Sequence, residues 1–365
     1  MPDLAIGDRM GKNECEAAAL EQMFFLHDPD NDAALPEKVY IEATSRCNLH
    51  CSICFRHGWY DETPRHMDFG IARKLAAELE DMSSVAEVFF GGMGEPLFHP
   101  QIVEMVGAMP GRLRKSLLTN GTLLTEELAK RLLDAGLTQL WVSMDGFDEK
   151  SYEAIQLGSR FAQICENLRA FNRARAGSKT RLGITFVVTP ENVGQLARIN
   201  EFADEMGADE LNVSHMIPGA PVAKEDSLYE REDIPVGRMR RFAPAAGPTQ
   251  EHVCPFISGN HVFVRADGAV APCMQLLHSG YTYLDEEKRK IKSFTYGNIE
   301  TDRLTECWNR EDYRAFRHRV NTFYFPFCRV CWGCDDRKEN LADCILNDAP
   351  TCGACLWASG KVFCP

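Results

Sequence analysis

Three observations predict an α/β chain built as a partial (β/α)6 barrel with a smaller, cysteine-rich C-terminal domain. Six short apolar runs alternate with helical patterns from about Val39 to Met216, the pattern of parallel strands joined by crossover helices. The alternation stops at Pro218-Gly219-Ala220-Pro221, which reads as the start of a linker. Ten of the 15 cysteines then fall between Cys254 and Cys364, a density that points to metal-binding regions. The expected divisions are an N-terminal extension over 1–35, the barrel over 36–217, a linker over 218–250 and the second domain over 251–365.

Taken in order, the N-terminal stretch carries acidic residues and lacks an apolar segment followed by a small-residue cleavage site. No signal peptide is read there, and a cytoplasmic location is expected. Strands are expected at Val39–Ala43, Glu87–Phe90, Ser116–Leu118, Gln139–Ser143, Gly183–Val188 and Glu210–Ser214. Between them Ile71–Met82, Thr125–Ala135, Phe161–Ala176 and Asn192–Met206 space their apolar residues at threes and fours, as helices do. Thr125 is placed to cap its helix, and Gly136 and Gly207 stand where C-terminal glycines belong. Six βα units fit a partial barrel better than a closed eight-unit one, with an open doubly wound sheet as the other architecture. In either, ligands bind beyond the C-terminal ends of the strands. The second domain opens with a hairpin, His261–Arg265 and Ala269–Ala271, turning at Asp267-Gly268, and a helix-like segment follows Trp308.

Forty basic residues against 53 acidic ones leave a formal net charge of −13, which argues against a nucleic-acid partner. The one dense basic run, Lys288-Arg289-Lys290, follows Asp285-Glu286-Glu287 and reads as a solvated face. No run reaches the roughly 18 to 20 apolar residues of a membrane span, so no membrane partner is expected. In a reducing compartment 15 cysteines are ligands or redox groups before they are disulfides.

The sharpest pattern is Cys47-Asn-Leu-His-Cys51-Ser-Ile-Cys54, directly after the first strand. Three thiolates from one loop hold a 4Fe–4S cluster and leave its fourth iron open to a cofactor or substrate. With His50 or His57 the same thiols could make a tetrahedral zinc site instead. The arrangement resembles the radical S-adenosylmethionine (SAM) superfamily. That resemblance implies that the open iron binds SAM and that one electron cleaves its sulfonium to a 5′-deoxyadenosyl radical, which abstracts a hydrogen atom. It also implies a low-potential electron donor such as a ferredoxin or flavodoxin. Ile53 stands where the superfamily usually has an aromatic residue.

The second strand runs into Phe90-Gly91-Gly92-Met93-Gly94-Glu95-Pro96, which resembles the superfamily's loop for the methionine moiety of SAM. Gly92, Met93, Gly94 and Glu95 are the candidates: glycines let backbone approach a ligand, and a carboxylate can bond its ammonium. Asn120 closes the third strand, and Ser143 and Asp145 close the fourth. The resemblance places Ser143 and Asp145 near the SAM ribose or carboxylate, while Asn-Gly and Asp-Gly are also common turns.

Farther on, Cys254 and Gly268-Ala-Val-Ala-Pro-Cys273 resemble the opening of the auxiliary-cluster domain called SPASM. Cys328, Cys331, Cys334, Cys344, Cys352, Cys355 and Cys364 complete a set of nine candidate ligands. Two fully ligated 4Fe–4S clusters need eight, so one thiol is spare or the count differs, and one or two auxiliary clusters are expected. Structural zinc is the alternative for the CxxC pairs. Cys15, Cys165 and Cys307 lack paired spacing and read as ordinary thiols.

The tail from Pro350 to Ala358, with Cys364-Pro365 and with Cys54-Phe-Arg-His-Gly-Trp59, resembles radical SAM maturases associated with tungsten-cofactor aldehyde oxidoreductases. This implies a partner that is a tungsten-dependent aldehyde oxidoreductase or its pterin cofactor. A second reading is a SPASM enzyme that modifies a precursor peptide or a protein, such as a peptide cyclase or sulfatase maturase. A third is a non-catalytic iron–sulfur electron carrier.

Overall fold

All six expected strands form, each within a few residues of its expected limits: β1 (Lys38–Ile41), β2 (Glu87–Phe90), β3 (Arg114–Thr119), β4 (Gln139–Ser143), β5 (Arg181–Val188) and β6 (Glu210–His215). The computed structural model describes residues 35–221, 227–231, 233–242, 252–331 and 333–365. The N-terminal extension with Cys15, and part of the expected linker, lie outside these residues. Crossover helices α1 (Phe69–Asp81), α2 (Ile102–Ala108), α3 (Glu126–Asp134), α4 (Glu149–Ile155), α5 (Phe161–Ala174) and α6 (Ile199–Glu205) join the strands. Thr125 caps α3 by accepting from the Leu128 N–H at 3.1 Å. Gly136 and Gly207 follow their helices at φ +87° and +65°, where a Cβ would be strained.

The strand order is β6-β5-β4-β3-β2-β1, each parallel to its predecessor in the chain. A doubly wound sheet reverses direction at a switch point; this wall does not, which is the order of a barrel. The C-terminal residues show that the wall is curved. The Phe363 N–H donates to Ser214 Oγ on β6 at 3.1 Å, and the Pro365 carbonyl accepts from Lys38 Nζ and Tyr40 Oη on β1, both at 3.0 Å. Flat, β1 and β6 would lie five strand spacings apart, about 24 Å. Three extended residues reach only about 10 Å, and side chains stand roughly perpendicular to a sheet and add little sideways.

The wall continues at both ends. β7 (Gly237–Met239) pairs antiparallel with β6, and β8 (His261–Val264) pairs in parallel with β1, followed by its hairpin partner β9 (Val270–Ala271). The hairpin expected to open the second domain therefore shares hydrogen bonds with the barrel. Tyr40 stacks on Phe263 at 4.3 Å and lies 4.9 Å from Phe89, a buried aromatic layer that joins β8, β1 and β2. A two-stranded ribbon, β10 (Gly280–Leu284) and β11 (Glu287–Ile291), and the helices α7 (Leu304–Trp308) and α8 (Glu311–Asn321) follow. Among the described residues no helix is long and apolar enough to cross a membrane.

Candidate active site

Cys47, Cys51 and Cys54 sit on the loop that leaves β1, all partly exposed and none in a disulfide. Main-chain bonds hold the loop's shape: Ser52 N–H to the Ile155 carbonyl at 2.8 Å and Cys54 N–H to the Cys51 carbonyl at 3.1 Å. The Cys47 sulfur takes the Leu49 N–H at 3.4 Å and lies 3.9 Å from Asn120 Nδ2. Burial, with the neighbouring Asp145, Cys54 and Cys47, pushes the Cys51 thiol up to about 12. Such thiols stay protonated until a metal takes the proton's place.

The glycine loop lies flat against this segment. A Cβ on Gly94 would stand 2.1 Å from the Thr44 carbonyl oxygen and 2.5 Å from that of Arg46, so only glycine permits the approach. Gly92 takes φ +131°, and the next N–H, of Met93, donates to Glu42 Oε1 at 3.3 Å. Glu95 turns inward and is 2% exposed. Its Oε1 accepts from Leu97 N–H at 2.9 Å and Thr119 Oγ1 at 2.6 Å, and its Oε2 from Asn120 N–H at 2.7 Å. The carboxylate thus ties the end of β2 to the end of β3.

Asn120 bridges in the other direction, donating from Nδ2 to Asn48 Oδ1 at 3.0 Å. Its own Oδ1 accepts from Thr122 Oγ1 at 2.6 Å. At the end of β4, Ser143 Oγ donates to Asp145 Oδ2 at 3.1 Å, and Asp145 Oδ1 accepts from Val187 N–H at 2.9 Å. Gln156, which sequence reasoning missed, donates to Asp145 Oδ2 at 3.0 Å and to the Ser143 carbonyl at 3.1 Å. Candidates from the ends of β2 and β3 form one network that reaches Cys47, and those at the end of β4 form a second, whose Asp145 is a charged neighbour of Cys51.

Two further missed residues complete the site's wall. Glu42, directly after β1, is buried and grips His278 Nε2 at 2.8 and 3.0 Å, while His278 Nδ1 lies 3.0 Å from Glu62 Oε2. Trp59 packs on the imidazole at 4.4 Å. Burial alone would lower the imidazole pKa, but the two carboxylates outweigh it and push it up to about 9. Only the position of Glu42 at a strand end could have signalled it; His278 has no local signature.

The C-terminal thiols separate into groups. Cys254, Cys273, Cys352 and Cys355 are mutual neighbours: burial first, then the nearby thiols, raises the pKa of Cys254, Cys273 and Cys352. Cys328 is raised to about 11 by burial and then by Cys344, Asp343 and Cys331. Cys334 is three residues beyond Cys331, before the turn Asp335–Lys338. Cys364 stands apart: burial pushes its thiol up to about 11, with Trp357 beside it and Lys38 its charged neighbour. Cys165 and Cys307 are buried. Among the described residues no group of three His, Cys, Asp or Glu side chains is placed to hold a single metal ion. Soft thiol donors gathered in a triad and in larger groups fit iron–sulfur clusters.

Comparison with known proteins agrees with this geometry. Residues 41–203 match the family model of the radical SAM superfamily, and 254–335 match that of an iron–sulfur cluster-binding domain, SPASM. A Pyrococcus furiosus protein named tungsten-containing aldehyde ferredoxin oxidoreductase cofactor-modifying protein is 31% identical over 346 residues, 90% of this chain and 96% of that one. The PqqA peptide cyclase of Gluconobacter oxydans is 30% identical over 87% of this chain and 90% of its own. In fold, the chain is similar to Streptococcus suis SuiB (TM-score 0.58, 14% identity, 90% of this chain and 80% of that one). It is likewise similar to anSMEcpe with bound AdoMet (TM-score 0.53, 19% identity, 83% and 88%). The chain belongs to the radical SAM superfamily, as an enzyme of the SPASM-bearing kind whose cofactors are 4Fe–4S clusters and S-adenosylmethionine.

Proposed function

We propose that this enzyme cleaves SAM reductively and uses the resulting radical chemistry to mature a tungsten-dependent aldehyde oxidoreductase or its pterin cofactor. The whole-chain likeness to the Pyrococcus furiosus cofactor-modifying protein carries this reading, since it spans barrel and auxiliary region alike. Cys47, Cys51 and Cys54 would hold the SAM-binding cluster, which would supply one electron for the reductive cleavage of SAM. The chain's own residues position the cofactor. Gly92, Met93 and Gly94 offer backbone to its methionine end, Glu95 holds that loop against β3, and Asn120, Ser143 and Asp145 line the adjoining strand ends. Cys254, Cys273, Cys352 and Cys355 would ligate one auxiliary cluster and Cys328, Cys331, Cys334 and Cys344 a second, leaving Cys364 as the spare thiol.

Electron exchange with a low-potential donor, of the ferredoxin or flavodoxin kind, fits the second auxiliary set, where Cys331 and Cys344 are exposed. The substrate would enter at the C-terminal ends of β5 and β6, where Val188, Met216, Pro218 and Tyr229 line an apolar cleft. A precursor peptide is the second reading, favoured by the likeness to PqqA peptide cyclase over most of both chains.

Anaerobic protein given dithionite and SAM is expected to release 5′-deoxyadenosine, and Ala at Cys47, Cys51 and Cys54 together to abolish it. Deleting the gene in its host should leave the tungsten oxidoreductase polypeptide present but inactive. A fully active oxidoreductase in that strain, with loss of a modified peptide, would move the assignment to the second reading.

A further inference from the structure

The basic run Lys288-Arg289-Lys290 does not lie on one solvated face. It forms β11, and strand alternation sends Lys288 and Lys290 outward while Arg289 points inward and is 6% exposed. Arg289 Nε donates to the Arg337 carbonyl at 2.7 Å and Nη1 to the Ala354 carbonyl at 3.1 Å. Ala354 lies between Cys352 and Cys355 of the first auxiliary set. The side chain of Arg337 in turn bonds the carbonyl of Cys331, in the second set, and pairs with Glu287 at 2.6 Å.

The two sets meet at this point. A Cβ on Gly353 would stand 3.0 Å from Cys328 Sγ, so a member of the second set lies against the chain that carries the first. Thiols of both sets, Cys355, Cys328 and Cys352, are the negative groups that act on Arg289. Among the described residues it has no carboxylate partner. A buried guanidinium held by two neutral carbonyls is costly, and such a charge persists in a fold when an anion compensates it. Here the anions available are the thiolates of both sets and the clusters they would hold.

We propose that Arg289 is the counter-cation shared by the two auxiliary iron–sulfur sites, raising the reduction potential of both. The inference rests on the division of eight thiols into two sets given above. A cluster gains negative charge on reduction, so a fixed cation between two clusters stabilises the reduced form of each. Arg289 is thus a positioning and tuning residue; it touches no reacting atom.

The test is a redox titration of reconstituted full-length protein, followed by electron paramagnetic resonance, in the native chain, Arg289→Gln and Arg289→Lys. Iron content and spin count, taken first, show whether two auxiliary clusters are present; a native protein with fewer would refute the division into sets and remove the basis for a shared cation. With two present, Arg289→Gln should make reduction of both auxiliary clusters about tenfold less favourable, about 59 mV for a one-electron couple. Arg289→Lys should stay near the native values, and the SAM-binding cluster should not move in either variant. Unchanged auxiliary potentials in Arg289→Gln, or a shift in one cluster only, would overturn the proposal. If Arg289→Gln loses auxiliary iron, full iron in Arg289→Lys supports the counter-charge, whereas equal loss in both variants makes Arg289 a packing element and defeats it.

Discussion

At Glu95, burial and hydrogen bonding pull in opposite directions. Burial raises the carboxyl pKa to about 7, while the Asn120 N–H, the Thr119 hydroxyl and the Leu97 N–H favour its charged form. A carboxylate that served only a ligand's ammonium would keep its lone pairs free for it; three protein donors already occupy this one. Glu95→Ala strands those donors in a buried site, at a cost of about 1 to 3 kcal/mol. The expected outcome is a loss of that size in ligand-free protein, measured by chemical denaturation, together with weaker SAM binding because the glycine loop loses its anchor to β3. Weaker SAM binding with unchanged ligand-free stability would instead return Glu95 to direct contact with the cofactor.

At the scale of elements, the Glu42–His278–Glu62 cluster joins the end of β1, the segment after Cys54 and the segment after β9. It fastens the SAM-side loop to the auxiliary region. The folded pKa of His278, about 9, lies above its ordinary value of about 6.5, so its contribution is fully present below about pH 6.5 and is lost as pH rises through about 9. The shift corresponds to about 3 kcal/mol at most. Native protein should therefore lose more stability between pH 7 and 10 than His278→Gln, read as the difference between their denaturation curves. Parallel curves would show that the imidazole is not held charged. This cluster also shows what sequence could and could not disclose. The strands and thiol motifs were legible because periodicity and spacing are local properties of the chain. The two carboxylates that hold His278, Glu42 and Glu62, lie 236 and 216 residues before it, and no local pattern announces a pairing that only tertiary packing creates. Arg289 was misread for the related reason that three adjacent basic residues on a strand point alternately to opposite sides.

At the scale of the molecule, residues 361–365 bridge two distant strands of the wall. Phe363 is anchored on β6 and Pro365 on β1, the two ends of the six-strand run, and the carbonyl of Pro365 is a partner of the buried Lys38 amine. That amine is already strained electrostatically: burial lowers its pKa to about 8, with Glu87 opposing the shift at 3.6 Å. A chain ending at Gly360 would uncover the inner face of β1 and β6 and leave Lys38 with one fewer acceptor. The expected loss is several kcal/mol, from lost burial of Val362 and Phe363 as well as the unmade bonds, visible as a lower denaturation midpoint. Cluster content answers a separate question. Because Cys364 stands apart from both auxiliary sets, Cys364→Ser in the full-length chain should retain all the iron of the native protein. Loss of a cluster's worth of iron from that single substitution would place Cys364 among the ligands and require one of the eight other thiols to be released. The tail would then be a cluster ligand as well as a bridge between β1 and β6, and stability and iron content would fall together in the truncated chain.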